Sequence, residues 1–235
     1  FGVVRAITEA EKALEIVRGK GCTPEKAPDG SLHYHWRGIE VEHHPDLIDL
    51  QAIGVKRWAR KQVKAMQPAT VTLPEHPERA IQTPSATINL LLINAHICKH
   101  AIGLGVGLRQ MCDMARAYHA LHREVDGEQI RSLYRRAGLE RWSNLLHRFL
   151  VDYIGLEEHL LPYRSKLEES ARPLLKVVLR GGNFGRYAAD REVVMGNLWQ
   201  RKWHTALSFV RNCRFSFRYA PAEAIWTVWQ LAKGQ

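Results

Sequence analysis

Four polar side chains in one short stretch have the types and spacing for metal or proton chemistry. His33 and His35 alternate with Leu32, Tyr34 and Trp36, and after Arg37-Gly38 the carboxylates Glu40 and Glu42 alternate with Ile39, Val41 and His43. Strict alternation is the period of a strand, and Arg37-Gly38 can serve as a two-residue hairpin loop. In that register Trp36 faces Ile39, His35 faces Glu40 and His33 faces Glu42, so the four polar residues share one face. Two imidazoles and two carboxylates suit zinc or manganese. The plainer reading, which we prefer for zinc, is a solvent-facing hairpin with cross-strand His–Glu pairs. The opposite face, Leu32, Tyr34, Trp36, Ile39 and Val41, is apolar and is expected to be buried.

A second polar group sits in strongly apolar text. Ser85 to Ala101 reads as a helix in which His96, Lys99 and His100 fall at helical spacing. A buried ammonium is costly, so Lys99 needs a partner or a cleft. Arg109 and Asp113 stand one turn apart on the next helix and can pair as i, i+4. With Gly103 to Gly107 turning the chain between them, His96, Lys99, Arg109 and Asp113 form either a phosphate- or acceptor-binding wall or a salt-bridge network locking two helices. The glycine-rich turn is not a P-loop, because no Gly-Lys-Ser/Thr follows and helices flank it. Gly182-Asn183-Phe184-Gly185 reads as a turn. No serine or cysteine nucleophile motif is present, which argues against hydrolase chemistry.

The elements that must position these groups can be read outward from them. Thr8 to Arg18 is expected as a helix, with Thr8 as N-cap and Glu11 completing a capping box, and Gly19 and Gly21 ending it. Pro24 to Gly30 reads as a loop and Val55 to Met66 as a basic helix. Pro68 to Pro84 holds four prolines and reads as an extended connector and the best domain boundary. Beyond it we expect helices over Leu108–His122, Gly127–Ala137, Arg141–Tyr153, Leu167–Leu179 and Val193–Phe209, and a last one from Pro221 to Leu231. Gly138 and Gly155 are expected as helix stops. The expected organisation is an α/β portion with a β-hairpin over 1–67, a connector over 68–84 and a larger all-helical region over 85–235, an α+β class.

The chain has 235 residues and a formal net charge of +10, which favours anionic partners, nucleic acid among them. Trp199, Trp203, Phe209, Phe215, Phe217, Trp226 and Trp229 lie among arginines and read as packing aromatics rather than a base-stacking surface. No apolar run reaches the roughly 18 residues of a membrane span. The four cysteines, Cys22, Cys98, Cys112 and Cys213, form no CxxC pair and are expected as buried free thiols in a reducing, cytoplasmic setting. The chain opens on Phe1, as a piece of a longer protein would.

Five segments, in order, resemble the bacterial nucleotidyltransferase-like family of uncharacterised proteins. They are Gly38-Ile39-Glu40-Val41-Glu42-His43, then Asn94-Ala95-His96-Ile97-Cys98-Lys99-His100, then Gly105-Val106-Gly107-Leu108-Arg109-Gln110-Met111-Cys112-Asp113. Gly138-Leu139 with Trp142 and Val151-Asp152-Tyr153-Ile154-Gly155-Leu156 follows, and Gly182-Asn183-Phe184-Gly185 closes the set. The resemblance implies a nucleotidyltransferase-type α/β core that moves a nucleoside monophosphate from a nucleoside triphosphate to an acceptor hydroxyl. It also implies magnesium held by three carboxylates: an Asp-x-Asp pair on an early strand and a third on a neighbouring strand. Glu42, with Glu40 second, matches the third position and is the metal-binding and catalytic candidate. The pair has no counterpart, since Phe1 to Ile7 contains no carboxylate. The chain is therefore expected to be an enzyme if that pair lies upstream. The alternative is a non-catalytic scaffold on the same fold, binding nucleic acid or a phosphorylated ligand.

Overall fold

The computed structural model describes residues 12, 14–26, 31–44, 46–48, 50–103, 105–164, 170–181 and 213–232. The chain divides into two units, 1–47 and 48–235, so the division falls upstream of the proline-rich segment 68–84.

In the first unit a helical stretch over 14–19 ends at Gly21, whose positive φ of 78° lets its N–H and that of Cys22 close back on Arg18 O and Val17 O. Thr8 and Glu11, expected to cap this helix, lie outside the described residues. A three-stranded antiparallel sheet follows, in the order β1 (Glu25–Lys26), β2 (Leu32–Trp36), β3 (Ile39–His43). β1 corrects the expectation of a plain loop: two residues bridge to His33 and Leu32. The β2–β3 register pairs Trp36 with Ile39, His35 with Glu40 and His33 with Glu42, as the alternation requires. Arg37 and Gly38 both take positive φ, 51° and 78°, the geometry of a tight hairpin turn. The apolar face is buried only at its open end. Leu32 is buried, but Trp36 is 45% and Ile39 63% exposed at the turn end, against expectation. There the Arg37 guanidinium lies 4.9 Å from the Trp36 ring centre and supplies part of the missing cover.

The second unit opens with α1 (Ile53–Ala65) and then a second hairpin, β4 (Ala69–Leu73) with β5 (His76–Thr83). The prolines of 68–84 mark its turn and edge rather than a bare connector. Pro74 falls between the strands, and Pro77 lies next to the register shift at Thr72/Leu73, where no ladder N–H is required. The helices α2 (Ala86–Ile102), α3 (Leu108–Leu121), α4 (Gly127–Arg136) and α5 (Glu140–Phe149) come next. A π-helical turn over Leu150–Ile154 continues α5 and ends at Gly155, with φ 80°. A 3₁₀ turn, Glu158–Leu160, leads to α6 (Arg172–Gly181), and α7 (213–219) and α8 (Pro221–Ala232) close the described chain. The segment expected as a helix over Leu167–Leu179 becomes helical at Arg172, whose N–H is accepted by Ser170 Oγ. The helix expected over Val193–Phe209 lies outside the described residues.

Local chemistry fixes the helix starts. Ser85 Oγ accepts from Ile88 N on α2, Gln110 Oε1 from Gly107 N on α3, and Asp126 Oδ1 from Glu128 N and Gln129 N on α4. Gly127 has a second role: a Cβ there would overlap the Pro162 carbonyl oxygen. The core joins α2 to α5 through Leu91, Ile97, Met111, Met114, Trp142 and Phe149, all fully buried. Of the cysteines, all free thiols, Cys98 is buried and Cys112 exposed, which corrects the expectation that all four are buried. Phe215 packs edge-on against Trp142, as a core aromatic.

α1 lacks a cap of its own. Just ahead of its first turn, Gln51 N and Ala52 N donate to the two carboxylate oxygens of Glu223, at 3.0 and 3.1 Å. Glu223 is buried and lies in the first turn of α8, so one charge serves the positive ends of two helices. Glu223→Ala is expected to lower stability by about 2 kcal/mol, with a matching fall in the denaturation midpoint, because two half-buried donors lose a charged acceptor that is itself buried. Urea titration of variant and parent checks it.

Candidate functional site

The first unit carries the carboxylate candidates. Glu42 Oε1 lies 3.5 Å from His33 Nε2 and 3.3 Å from His44 Nε2, and His33 Nε2 also lies 3.1 Å from Ser31 Oγ. One carboxylate oxygen thus meets two imidazoles, one across the strand pair and one just past the end of β3. Glu42 keeps 47% of its side chain exposed, so it is open to a ligand, and these contacts hold it only lightly in water. His35 and Glu40 are register partners but form no ion pair within 4.0 Å. The fold therefore joins His33 to Glu42 and adds His44, which the alternation did not single out. Magnesium demands hard oxygen ligands. The described part of this unit offers Glu40 and Glu42 on one strand face. Among the described residues no group of three His, Cys, Asp or Glu is placed to hold a metal. Those residues do not complete a magnesium site, and no reaction step is built on one.

The second unit carries the other candidates. His96 and His100, one turn apart on α2, bring their Nε2 atoms to 3.1 Å with the rings edge to face. Lys99, between them in sequence, is half-buried and engaged in an interaction, as a desolvated ammonium requires. Gly103 N and Gly105 N close on Lys99 O and His100 O, ending α2, and Gly105 has φ 107°. Arg109 and Asp113 stand exposed on the first two turns of α3 and form no ion pair with each other. No hydrogen bond or ion pair joins them to His96 or Lys99. The expected salt-bridge lock between α2 and α3 is therefore not formed. Both groups face water, where a single exposed pair stabilises little.

What does lock α2 to its neighbours is a buried polar network centred on Tyr118. Its hydroxyl lies 2.8 Å from His147 Nε2 and 3.2 Å from the Tyr134 hydroxyl, and it accepts from Asn94 Nδ2 at 3.5 Å. Asn94 Nδ2 also donates to Ser143 Oγ at 3.2 Å, Ser143 Oγ donates back to Asn94 Oδ1 at 3.4 Å, and Tyr134 donates to Leu90 O at 3.4 Å. Every member is fully buried. Burial pushes the Tyr118 and Tyr134 hydroxyls well above their usual range and drives His147 down to about 3, so all three are neutral near pH 7. A second link ties α4 to α5: Glu140 accepts from Arg131 Nε and from Arg135 Nε and Nη2, and those hydrogen bonds hold its carboxyl below the usual range.

Sequence reasoning missed this network. A signal was available: Asn94, Ser143 and His147 each stand at a core position of an otherwise apolar helical stripe, where a polar side chain requires a partner.

Residues 6–154 match the family described as uncharacterised nucleotidyltransferases, and the chain belongs to that family. No curated protein and no solved structure matches it. The match covers β1 to β3 and the helices α1 to α5, and so includes both candidate groups. Among the described residues, no helix is long and apolar enough to cross a membrane.

Proposed function

We propose that this protein transfers a nucleoside monophosphate from a magnesium-bound nucleoside triphosphate to an acceptor hydroxyl, in the cytoplasm. Membership of the nucleotidyltransferase family over residues 6–154 carries the reading. Glu42 is the carboxylate offered to the metal, with Glu40 beside it on the same strand face. Its position on β3, Ile39–His43, and its open side chain support that role. His96, Lys99, Arg109 and Asp113 are offered as the groups that bind the substrate and its phosphates, with Lys99 and Arg109 supplying the positive charge that suits a polyanion.

The test is transfer of label from each α-phosphate-labelled nucleoside triphosphate into a small-molecule extract of the source cells, resolved by chromatography. One triphosphate is expected to give a new labelled product that requires magnesium and falls at least 100-fold with Glu42→Ala. Label confined to the donor, for every nucleotide and with folded protein, sinks the reading.

A non-catalytic scaffold binding a nucleic acid or a phosphorylated ligand is the second reading. It is favoured by one observation: no three-donor metal group lies among the described residues of a chain carrying +10. Retained affinity for an anionic polymer, steeply weakened by salt, with no magnesium-dependent nucleotide binding, is its signature.

A further inference from the structure

The second unit contains a pocket of about 550 Å³ where α5 runs into the π-helical turn and the chain returns through Glu158 to Arg164. That volume falls in the range of small-molecule sites. A π-helical turn widens a helix locally and recurs at functional sites. Here Gly155 and the bond from Leu156 N to Leu150 O at 3.0 Å end it.

The polar groups of this pocket are under-used by the protein. Arg148 donates through Nε to Asp152 Oδ2 at 2.9 Å, and its terminal nitrogens donate to no protein group among the described residues. Arg164 makes no ion pair or hydrogen bond among them, and neither does the Glu158 carboxylate. His147 is the fully buried member of the lining and so forms the inner wall. Its Nε2 is taken by Tyr118, while its Nδ1 has no hydrogen-bond partner. Val151 and Leu161 add apolar wall.

This donor set selects its ligand. Two guanidiniums with donors to spare match a dianionic phosphate, which each can grip in a fork. A carboxylate with no partner matches hydroxyl donors on the same molecule. We propose that this pocket binds a small phosphate monoester carrying hydroxyl groups, its phosphate on Arg148 and Arg164 and a hydroxyl on Glu158. The site is independent of the nucleotidyl-transfer reading and uses none of its residues.

Calorimetric titration of the full chain with glycerol 3-phosphate tests it, with inorganic phosphate and glycerate as separate arms. Saturable binding of glycerol 3-phosphate is expected, weakened at least tenfold by Arg164→Gln and by Arg148→Gln, with glycerate at least tenfold weaker. Inorganic phosphate is expected to share the arginine dependence, whereas Glu158→Gln should weaken glycerol 3-phosphate alone. All three substitutions are at exposed side chains, and thermal melts confirm folding. Absence of saturable binding in every arm, binding indifferent to both arginine changes, or glycerate binding as tightly as the phosphate would each overturn the proposal. Glycerol 3-phosphate affinity unmoved by Glu158→Gln would overturn the hydroxyl contact.

Discussion

Tyr118→Phe is expected to destabilise the protein by about 3 kcal/mol and lower its melting temperature by roughly 6–12 °C, though it removes a single oxygen. Volume and shape are kept, so no cavity contributes. The loss comes from what the hydroxyl serves. His147 Nε2, the Tyr134 hydroxyl and Asn94 Nδ2 all converge on it inside a dry core. Removing one partner of a buried polar group leaves the other with its full desolvation cost. Asn94 retains Ser143 and Tyr134 retains Leu90 O, which caps the penalty, while His147 is left with neither ring nitrogen bonded. Two-state denaturant unfolding measures the change. A loss under 1 kcal/mol would mean that the network contributes little and that apolar packing alone fixes α2 against α3 and α5. The double variant with Asn94→Ala should be less than additive, because the two side chains share one network.

Acid should destabilise the fold through His147 well before carboxylates titrate. Its folded pKa is depressed to about 3 by burial, whereas in the unfolded chain it is ordinary, near 6.5. The unfolded state therefore takes up a proton that the folded state refuses. The stability linked to this residue is fully present above about pH 6.5 and falls by roughly 1.4 kcal/mol for each pH unit below it, until the folded ring itself protonates near pH 3. By pH 4.5 the cumulative loss amounts to about 2.7 kcal/mol. Urea midpoints at half-unit pH intervals, for the parent and for His147→Leu, isolate it. The variant starts less stable, because Tyr118 loses its partner, but its slope over this window should be shallower by that amount. Parallel slopes would show that His147 is protonated in the folded state, against its full burial.

Some of this was legible in the sequence for identifiable reasons. The β2–β3 register follows from period-two alternation and a turn that tolerates positive φ, both local properties. Helix boundaries follow where a cap is encoded nearby, as at Ser85 and Asp126, and where Gly138 and Gly155 end helices with φ 74° and 80°. Burial of the hairpin's apolar face was not legible at its turn end, because alternation says which residues share a face but not what covers them. The β4–β5 hairpin was hidden by its prolines: the same residue type that suits an extended connector suits a turn and a strand edge.

Partners distant in sequence were the least legible. Glu223 caps a helix 171 residues away, and Asn94 meets Ser143 across 49 residues. No local pattern encodes either. Of the candidate site, the alternation supplied the His33–Glu42 contact. It could not supply His44, which lies beyond the strand. The separation of Arg109 from Asp113 shows the converse: helical spacing permits an ion pair, but water competes for both charges.

The most direct measurement is thermal stabilisation of the full native chain by each nucleoside triphosphate, with and without magnesium, in parent and Glu42→Ala protein. Glu42 is half-exposed on a strand, so its removal should leave the apo melting temperature nearly unchanged. At 100 times the dissociation constant a bound nucleotide adds about 2.7 kcal/mol, a rise of roughly 5–10 °C for a chain of this size. That rise is expected for one triphosphate, only with magnesium, and is expected to be lost in Glu42→Ala. A flat response to every nucleotide, or an equal rise in the variant, would contradict it.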